Sequence, residues 1–410
     1  MTSPRPSERV HALRLLREWV KTGMPPDEAD DWFDATPLAR ELVLTSLRNK
    51  GRLDAVIHHL SSRPPAADFR PVLWIGLTQL LLLDGIAEHA AVHETLEAAH
   101  KAKFPKPMIG YANGLLRNVL RRRGELETWI AGQPLSVRLS HPDILLRRWT
   151  EAFGAERAEG ICQWNQQRAV TFARRTPDAP AGDVPLDLTP VKDFPNFFAL
   201  PRGYLPTTLP GFTEGHWYLQ DPSTSLAPAL MQVKPGERIL DACAAPGGKA
   251  ALLAEALGGR GAGLVALDPN PGRVDRLGEN LQRLRLTDVS VRCGEIGSLI
   301  DERFDAVLLD VPCSNTGVLQ RRVDARWRFS RRALQEVTQL QTRLLDQGAA
   351  RVKPGGRLVY STCSIEPEET VQQVKTWLEA NPAWHLEEEI LLLPGEKSCD
   401  GAYAARLRKC

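Results

Sequence analysis

No apolar run among the 410 residues approaches the ~20 that a membrane-spanning helix needs. The longest candidate, Val72 to Leu83, is interrupted by Thr78 and Gln79 and reads as a buried helix, so no membrane partner is expected. Cysteine is sparse: there are seven, an odd number with no CxxC pair, which excludes both a disulfide framework and a four-thiolate zinc site. No metal is expected, and any special cysteine here works as a thiol. An excess of one charge is also missing, since the net charge is only +2. Internal repeats and low-complexity tracts are absent. The opening MTSPRPSERV runs into an amphipathic stretch with Arg14, Arg17 and Glu18 rather than the uninterrupted apolar core of a secretory leader, so the expected address is the cytoplasm.

What is present is enough chain for several cores. Single cores stop growing at ~250–300 residues, so two or three domains are expected. From 1 to 130 apolar residues recur at helical spacing, as in Val10, Leu13, Leu15, Val20 and Leu115, Leu116, Val119, Leu120. Pro64-Pro65, Pro105-Lys106-Pro107 and Gly51 punctuate these helices, and an all-α bundle follows. Residues 131–215 read as a small α+β connecting domain. Two helices are expected there near 143–153 and 156–167, followed by Pro-rich sequence with apolar pieces around Val184 to Leu188 and Phe197 to Leu200. From about 235 the text alternates strand, turn and helix: ERILDAC, GLVALD, VSVRC, FDAVLLD, a helix near 333–351, then GRLVYSTC. That pattern specifies a mostly parallel sheet with helices on its faces, so 216–410 is expected to be an α/β Rossmann-like domain.

Ligands of an open parallel sheet sit at the carboxyl ends of its strands. The first strand ends in Asp241-Ala-Cys-Ala-Ala-Pro-Gly-Gly-Lys249. Gly247 and Gly248 permit a tight turn and a close backbone approach, and the helix that begins there offers unpaired N–H groups. The loop is neither GxGxxG nor GxxxxGK[ST], and Ala250 stands where a phosphate loop would place Ser or Thr, which suits a nucleoside cofactor without phosphates such as S-adenosylmethionine. Asp268 ends the second strand, placed to take ribose hydroxyls; Glu295 and Asp310 end the next two.

Two cysteines follow buried strands: Cys313 in Asp310-Val-Pro-Cys-Ser-Asn-Thr-Gly317 and Cys363 in Tyr360-Ser-Thr-Cys-Ser364. Polar, turn-forming neighbours on the ligand side of a sheet are where a thiolate can be stabilised. Carbon 5 of cytosine is a poor nucleophile, and a thiolate adding at carbon 6 converts the ring to an enamine that can take a methyl group. Charge developing on the ring must be met at N3, a task for a carboxyl group such as Asp310. The residues alone do not say which thiol attacks.

DACAAPGGKA, LLDVPCSNTGVLQRR, DARWR and LVYSTCSIEPEE resemble the motifs of the RNA cytosine-C5 methyltransferases over roughly 216–410. The helical region ending in YANGLLRNVLRR is similar to the NusB-like RNA-binding domain that precedes this catalytic domain in the bacterial 16S ribosomal RNA cytosine-C5 methyltransferases, the Sun or Fmu family. The resemblance implies S-adenosylmethionine held by Cys243, Ala244, Ala245, Pro246, Gly247, Gly248 and Lys249 with Asp268, Glu295 and Asp310. It also implies Cys363 as nucleophile, Cys313 in product release and Asp310 in base activation. Three departures stand out: Glu295 in place of Asp, TFARRTP lacking the usual RVN-like strand, and AYAARLRK in place of a more aromatic final strand.

Two basic clusters could hold RNA phosphates. Lys101 to Arg123 has seven Lys or Arg and no acid; Arg321 to Arg332 has six Arg around Asp324, with Trp327 among them. The expected partner is RNA, by resemblance 16S rRNA, with tRNA the alternative substrate; a monomer is expected. A DNA cytosine methyltransferase would carry a target-recognition insertion that is absent here. A non-catalytic assembly or antitermination factor would be expected to have lost Asp310, Cys313 or Cys363, and all three are present.

Overall fold

The segment Arg70–Leu81 carries apolar side chains around its whole circumference, and every residue from Pro71 to Leu80 is buried. Such a helix is stable only when surrounded. Helices Glu8–Thr22, Pro37–Arg48, Glu88–Lys101 and Lys106–Arg121 pack on it. Its buried polar groups are paired: Gln79 Nε2 donates to Thr95 Oγ1 at 3.0 Å, and the Thr78 and Ser46 hydroxyls bond at 3.0 Å. Gly76 allows the closest crossing, since a Cβ there would lie 2.7 Å from the Leu116 side chain.

A computed structural model of the chain describes residues 7–410 other than 181, 183, 186 and 259, and divides them into two compact units. The first comprises the residues up to Gln167 plus Leu319–Arg328; the second comprises Arg168–Val318 and Phe329–Cys410. The boundaries therefore differ from those expected at 130 and 215. Helices Leu135–Arg138, Asp143–Phe153 and Ala155–Gln166 belong with the N-terminal bundle, because Gln166 Nε2 donates to the Arg48 carbonyl at 3.1 Å and Gln320 Nε2 to the Trp164 carbonyl at 3.2 Å.

The inserted segment 319–328 also corrects one basic cluster. Arg326 is fully buried, and its guanidinium donates to the carbonyls of Arg48, Ser140, Asn165 and Leu319 at 3.0–3.4 Å. Two of these carbonyls close the helices ending at Arg48 and Gln166, where a cation complements the negative end of the dipole. Burial, then the charge of Arg48, lowers its pKa to about 9. Arg322 pairs with Asp27 and Arg328 with Asp324. Trp327 is half-buried, its indole donating to the Leu47 carbonyl at 2.7 Å beneath the Lys50 ammonium. Residues 319–328 thus act as an internal fastener of the helical unit, which removes Arg326 from the phosphate-binding face expected, whereas Arg328, Arg331 and Arg332 of the same cluster are exposed. In the other cluster Lys101, Lys103, Lys106, Arg117 and Arg121 are exposed, while Arg122 and Arg123 make ion pairs with Glu125 and with Glu88 and Glu127.

The second unit contains two sheets. Strands β1 (Phe172–Arg175), β2 (Thr189–Pro190), β3 (Phe197–Ala199) and β4 (Trp217–Leu219) form an antiparallel sheet ordered β2-β3-β1-β4. TFARRTP is thus a strand after all, paired on both edges. The apolar piece around Val184 to Leu188 includes Leu186, which lies outside the described residues, as do residues 1–6 of the opening segment.

The larger sheet is built from β5 (Ile239–Ala242), β6 (Leu264–Asp268), β7 (Ser290–Cys293), β8 (Phe304–Asp310), β9 (Val352–Thr362), β10 (Trp384–Leu392) and β11 (Ala402–Lys409) in the order β10-β11-β9-β8-β5-β6-β7. β5 through β9 are parallel; β11 and β10 run antiparallel at one edge. Central strands such as ILDA and LVALD are buried at every residue, as strands covered on both faces must be. Helices Gly248–Leu257, Pro271–Arg283, Arg331–Ala349 and Val371–Ala380 accompany the sheet. Strand order reverses between β5 and β8, so a crevice is expected at the carboxyl ends of those two strands. Among the described residues no helix is long and apolar enough to cross a membrane.

Candidate functional site

The crevice is there. A cleft is lined by Asp241 of β5 and by Cys243, Ala244, Ala245, Pro246, Gly248 and Lys249 after it, by Asp310 at the end of β8, and by Tyr218 and Leu219 of β4 with Gln220 and Thr224 after it. The loop is held tightly against the last group: a Cβ on Gly248 would come within 3.0 Å of the Tyr218 ring and 3.3 Å of Gln220 Nε2. Cys243 has φ +63°, a left-handed conformation that a non-glycine residue adopts at a cost and that recurs at functional turns. Gly247, with φ +109°, precedes the helix whose N-terminus faces this loop.

Two polar groups in the cleft lack partners. Asp241 is fully buried with neither carboxylate oxygen hydrogen-bonded, and Gln220 Nε2 is likewise unsatisfied. Gln220 is oriented from behind, for Arg174 Nε donates to its Oε1 at 3.1 Å while the same guanidinium makes a bidentate pair with Glu255. A buried acceptor pair beside a fixed donor fits the ammonium and carboxylate of an amino-acid moiety. With the phosphate-free loop, this donor set suits S-adenosylmethionine. Burial, then the nearby Asp310 charge, raises the Asp241 pKa well above the carboxylate range, with Lys249 opposing.

That shift carries a stability prediction. A carboxyl group whose pKa is raised on folding binds protons more tightly than in the unfolded chain, so its contribution is complete below the unfolded value of ~3.9 and is lost as pH rises toward the folded value. Asp241→Asn keeps the shape and removes the titration. Its melting temperature in the free protein is expected to exceed that of the parent by a few degrees at neutral pH, a gap that widens from pH 5 to 8; a pH-independent gap in a thermal-shift series would refute the assignment.

Of the residues singled out for the cofactor, Cys243 to Pro246, Gly248, Lys249 and Asp310 line the cleft, whereas Gly247, Asp268 and Glu295 do not. Asp268 is fully buried, and its carboxylate accepts from the Asn270 amide at 3.0 Å and the Ala245 amide at 3.4 Å, with Arg273 at 3.8 Å. Glu295 is exposed beyond β7. Tyr218, Leu219, Gln220, Thr224 and Asp241 were not anticipated as lining residues. Asp241 opens the loop motif itself; the others lie in or just after β4, outside the motif, and no local spacing marks them.

Asp310 also joins the second half of the site. Lys249 Nζ donates to its Oδ2 at 2.7 Å. Burial would lower the Lys249 pKa, but the charge and hydrogen bond of Asp310 outweigh it and raise the value. Register places Asp310 of β8 opposite Ser361 of β9, so the chain just beyond these residues carries Cys313 and Cys363 side by side. Their Sγ atoms are 3.2 Å apart, and Cys363 Sγ donates to Asn315 Oδ1 at 3.4 Å. The hydrogen bond with Cys313, then burial and the charges of Cys313 and Asp310, push the Cys363 thiol well above its ordinary pKa; Lys249 pulls it the other way. Gly317 is needed where the two loops touch: its N–H donates to the Cys363 carbonyl at 2.9 Å, and a Cβ would sit 2.5 Å from that oxygen. Among the described residues no cluster of His, Cys, Asp or Glu is arranged to hold a metal ion.

Known proteins match both units. Residues 228–408 match the 16S rRNA methyltransferase RsmB/F family and residues 7–121 match the NusB family. The ribosomal RNA small subunit methyltransferase B of Vibrio vulnificus is 35% identical over 91% of each chain. Among solved structures, that of PH0851 is similar over the whole of both chains with a TM-score of 0.79 at 23% identity, a likeness of fold. A methyltransferase homolog protein from Pyrococcus horikoshii is 28% identical with a TM-score of 0.59, covering 67% of this chain and 98% of that one. Taken with the cleft and the paired thiols, which fall inside or beside the matched segment, these likenesses establish that the chain belongs to the 16S rRNA methyltransferase RsmB/F family and carries a NusB-type helical region.

Proposed function

We propose that this rRNA methyltransferase transfers the methyl group of S-adenosylmethionine to carbon 5 of a cytosine in 16S rRNA, through a covalent bond between Cys363 Sγ and carbon 6. The supporting observation is the Cys313–Cys363 pair at 3.2 Å beside the Lys249–Asp310 ion pair, where the cofactor cleft ends. A single buried thiol could be packing. Two thiols held in contact next to a charged pair form a reaction site.

The loop from Cys243 to Lys249 and Asp310 hold the cofactor, which supplies an electrophilic methyl group when bound, while Glu295, exposed beyond β7, stands outside the cleft. Asp268 acts mainly by fixing the loop through the Ala245 amide. Cys363 passes its proton to Asp310 as its sulfur adds to carbon 6, and the protonated carboxyl gives that proton to N3 as the electron pair moves onto the ring. Once carbon 5 is methylated it loses its proton to solvent, the electrons of that C–H bond restore the ring double bond, the carbon 6–sulfur bond breaks with its pair returning to Cys363, and N3 gives its proton back to Asp310. Cys313 lies where it can deliver a proton to the departing sulfur.

The exposed basic residues Lys101, Lys103, Lys106, Arg117 and Arg121 are placed to meet RNA phosphates, giving the helical unit the role of RNA binding ahead of the catalytic unit. The enzyme is read as a cytoplasmic monomer. Bisulfite sequencing of total RNA from cells with and without the protein tests the substrate: one small-subunit rRNA cytosine should resist conversion only when the protein is present. Protection appearing only in tRNA would replace the substrate, and no difference at all would overturn the reaction.

A further inference from the structure

Glu369 ends the STCSIEPEE motif, and nothing in the reaction described above uses it. It is fully buried, yet it lies on neither the cleft nor the thiol pair. Its carboxylate instead collects donors from three separate elements. Oε1 accepts from Ser314 Oγ and from Ser364 Oγ, the latter at 2.7 Å; Oε2 accepts from the Ser314 amide at 2.9 Å and from Gln341 Nε2 at 2.9 Å. A carboxylate offers about four lone-pair sites, and this one has all of them taken.

The donors are not arbitrary. Ser314 directly follows Cys313 and Ser364 directly follows Cys363, so one buried group ties down the residue next to each thiol. The same two serine hydroxyls lie 3.1 Å apart, Thr316 Oγ1 reaches Ser364 Oγ at 3.1 Å, and Gln341 Nε2 also donates to the carbonyl of Pro312, on the other side of Cys313. Both flanks of the Cys313 loop are therefore referred to the same carboxylate. The anchor is itself fixed, since the Tyr360 hydroxyl donates to the Glu369 carbonyl oxygen at 2.8 Å.

The β8–β9 register and the Gly317 N–H to Cys363 carbonyl bond bring the two loops together, but neither acts on the residues that directly follow the two cysteines, and it is these that Glu369 holds. We infer that Glu369 is a positioning residue that sets the separation of Cys313 and Cys363 by bonding to Ser314 and Ser364. This rests on the proposal that both thiols take part in one turnover, but the separation can be measured without activity.

The test is the rate at which diamide links the pair in the purified full-length protein. Two thiols lose their hydrogens to the reagent, leaving one disulfide and the reduced hydrazine, read as a loss of 2 Da in the joined peptides. The parent is expected to link rapidly. Glu369→Gln, which replaces two acceptor oxygens by one and adds donors facing donors, should slow the linkage at least tenfold and lower kcat by roughly 10²-fold, with KM for cofactor and RNA within about twofold. If Glu369→Gln does not fold, the double variant Ser314→Ala/Ser364→Ala removes the same two ties and should show the same slowing. An unchanged linkage rate in a folded variant overturns the inference, whatever happens to activity. Slowed linkage with an inactive Cys363→Ala supports both statements, and slowed linkage with a fully active Cys363→Ala would retain the clamp while rejecting the reaction.

Discussion

Cys363→Ala is expected to abolish methyl transfer to unmodified small-subunit rRNA, a fall of roughly 10⁴-fold or more in kcat, because loss of the attacking group leaves carbon 5 without a route to nucleophilicity. The effect should be confined to chemistry. Cys363 does not line the cofactor cleft, so S-adenosylmethionine binding measured by calorimetry should stay within about twofold of the parent. The change removes one sulfur atom from a half-buried loop whose bond to Gly317 is made by the backbone carbonyl, so the local fold survives. Transfer of labelled methyl from the cofactor is the direct measurement. Parental activity in this variant would eliminate Cys363 as nucleophile. Loss of cofactor binding alongside it would relocate the residue to the binding site.

The parallel strands β5 to β9 and the loop after β5 were legible in the sequence because local pattern carries them: buried runs of β-branched and aliphatic residues, each ended by a polar residue, specify a parallel sheet and the end at which it binds ligands. The same reasoning placed Asp310, Cys313 and Cys363 together, since adjacent parallel strands bring their carboxyl ends to one edge. It failed where a role depends on partners distant in the chain. Arg326 looks in sequence like one more exposed arginine, but four carbonyls, from two helices, the turn at Ser140 and its own loop, draw it into the interior. Gln220 is unremarkable among its neighbours, and only Arg174, held in turn by Glu255, turns its amide toward the cleft. TFARRTP lacks the expected motif and still forms β1, because β3 and β4 supply bonding partners on both sides. Sheet pairing overrode a weak local signal there.

Cys313→Ala should separate attack from release. Attack by Cys363 does not need the second thiol, but expulsion of the carbon 6 sulfur does if Cys313 supplies its proton from 3.2 Å. The variant should therefore accumulate enzyme covalently joined to RNA, visible as a slower band on denaturing gels, with multiple turnover reduced roughly 10²–10⁴-fold. The same substitution should also change the titration of Cys363. Its hydrogen bond to Cys313 is the largest cause of its raised pKa, followed by burial and by the charges of Cys313 and Asp310. A thiol is protonated below its pKa, and only the thiolate is alkylated, so in the parent the rate of Cys363 labelling by iodoacetamide should climb about tenfold per pH unit from 7 to 9. With Cys313 gone the thiolate forms at lower pH, and labelling at pH 7 should be faster, with the whole profile displaced toward acid. The two readouts fail independently. An unmoved labelling profile would mean that the thiols do not interact in solution, and turnover without a trapped adduct would show that release proceeds by another group, with Lys249, ion-paired to Asp310 at 2.7 Å, the next residue to substitute.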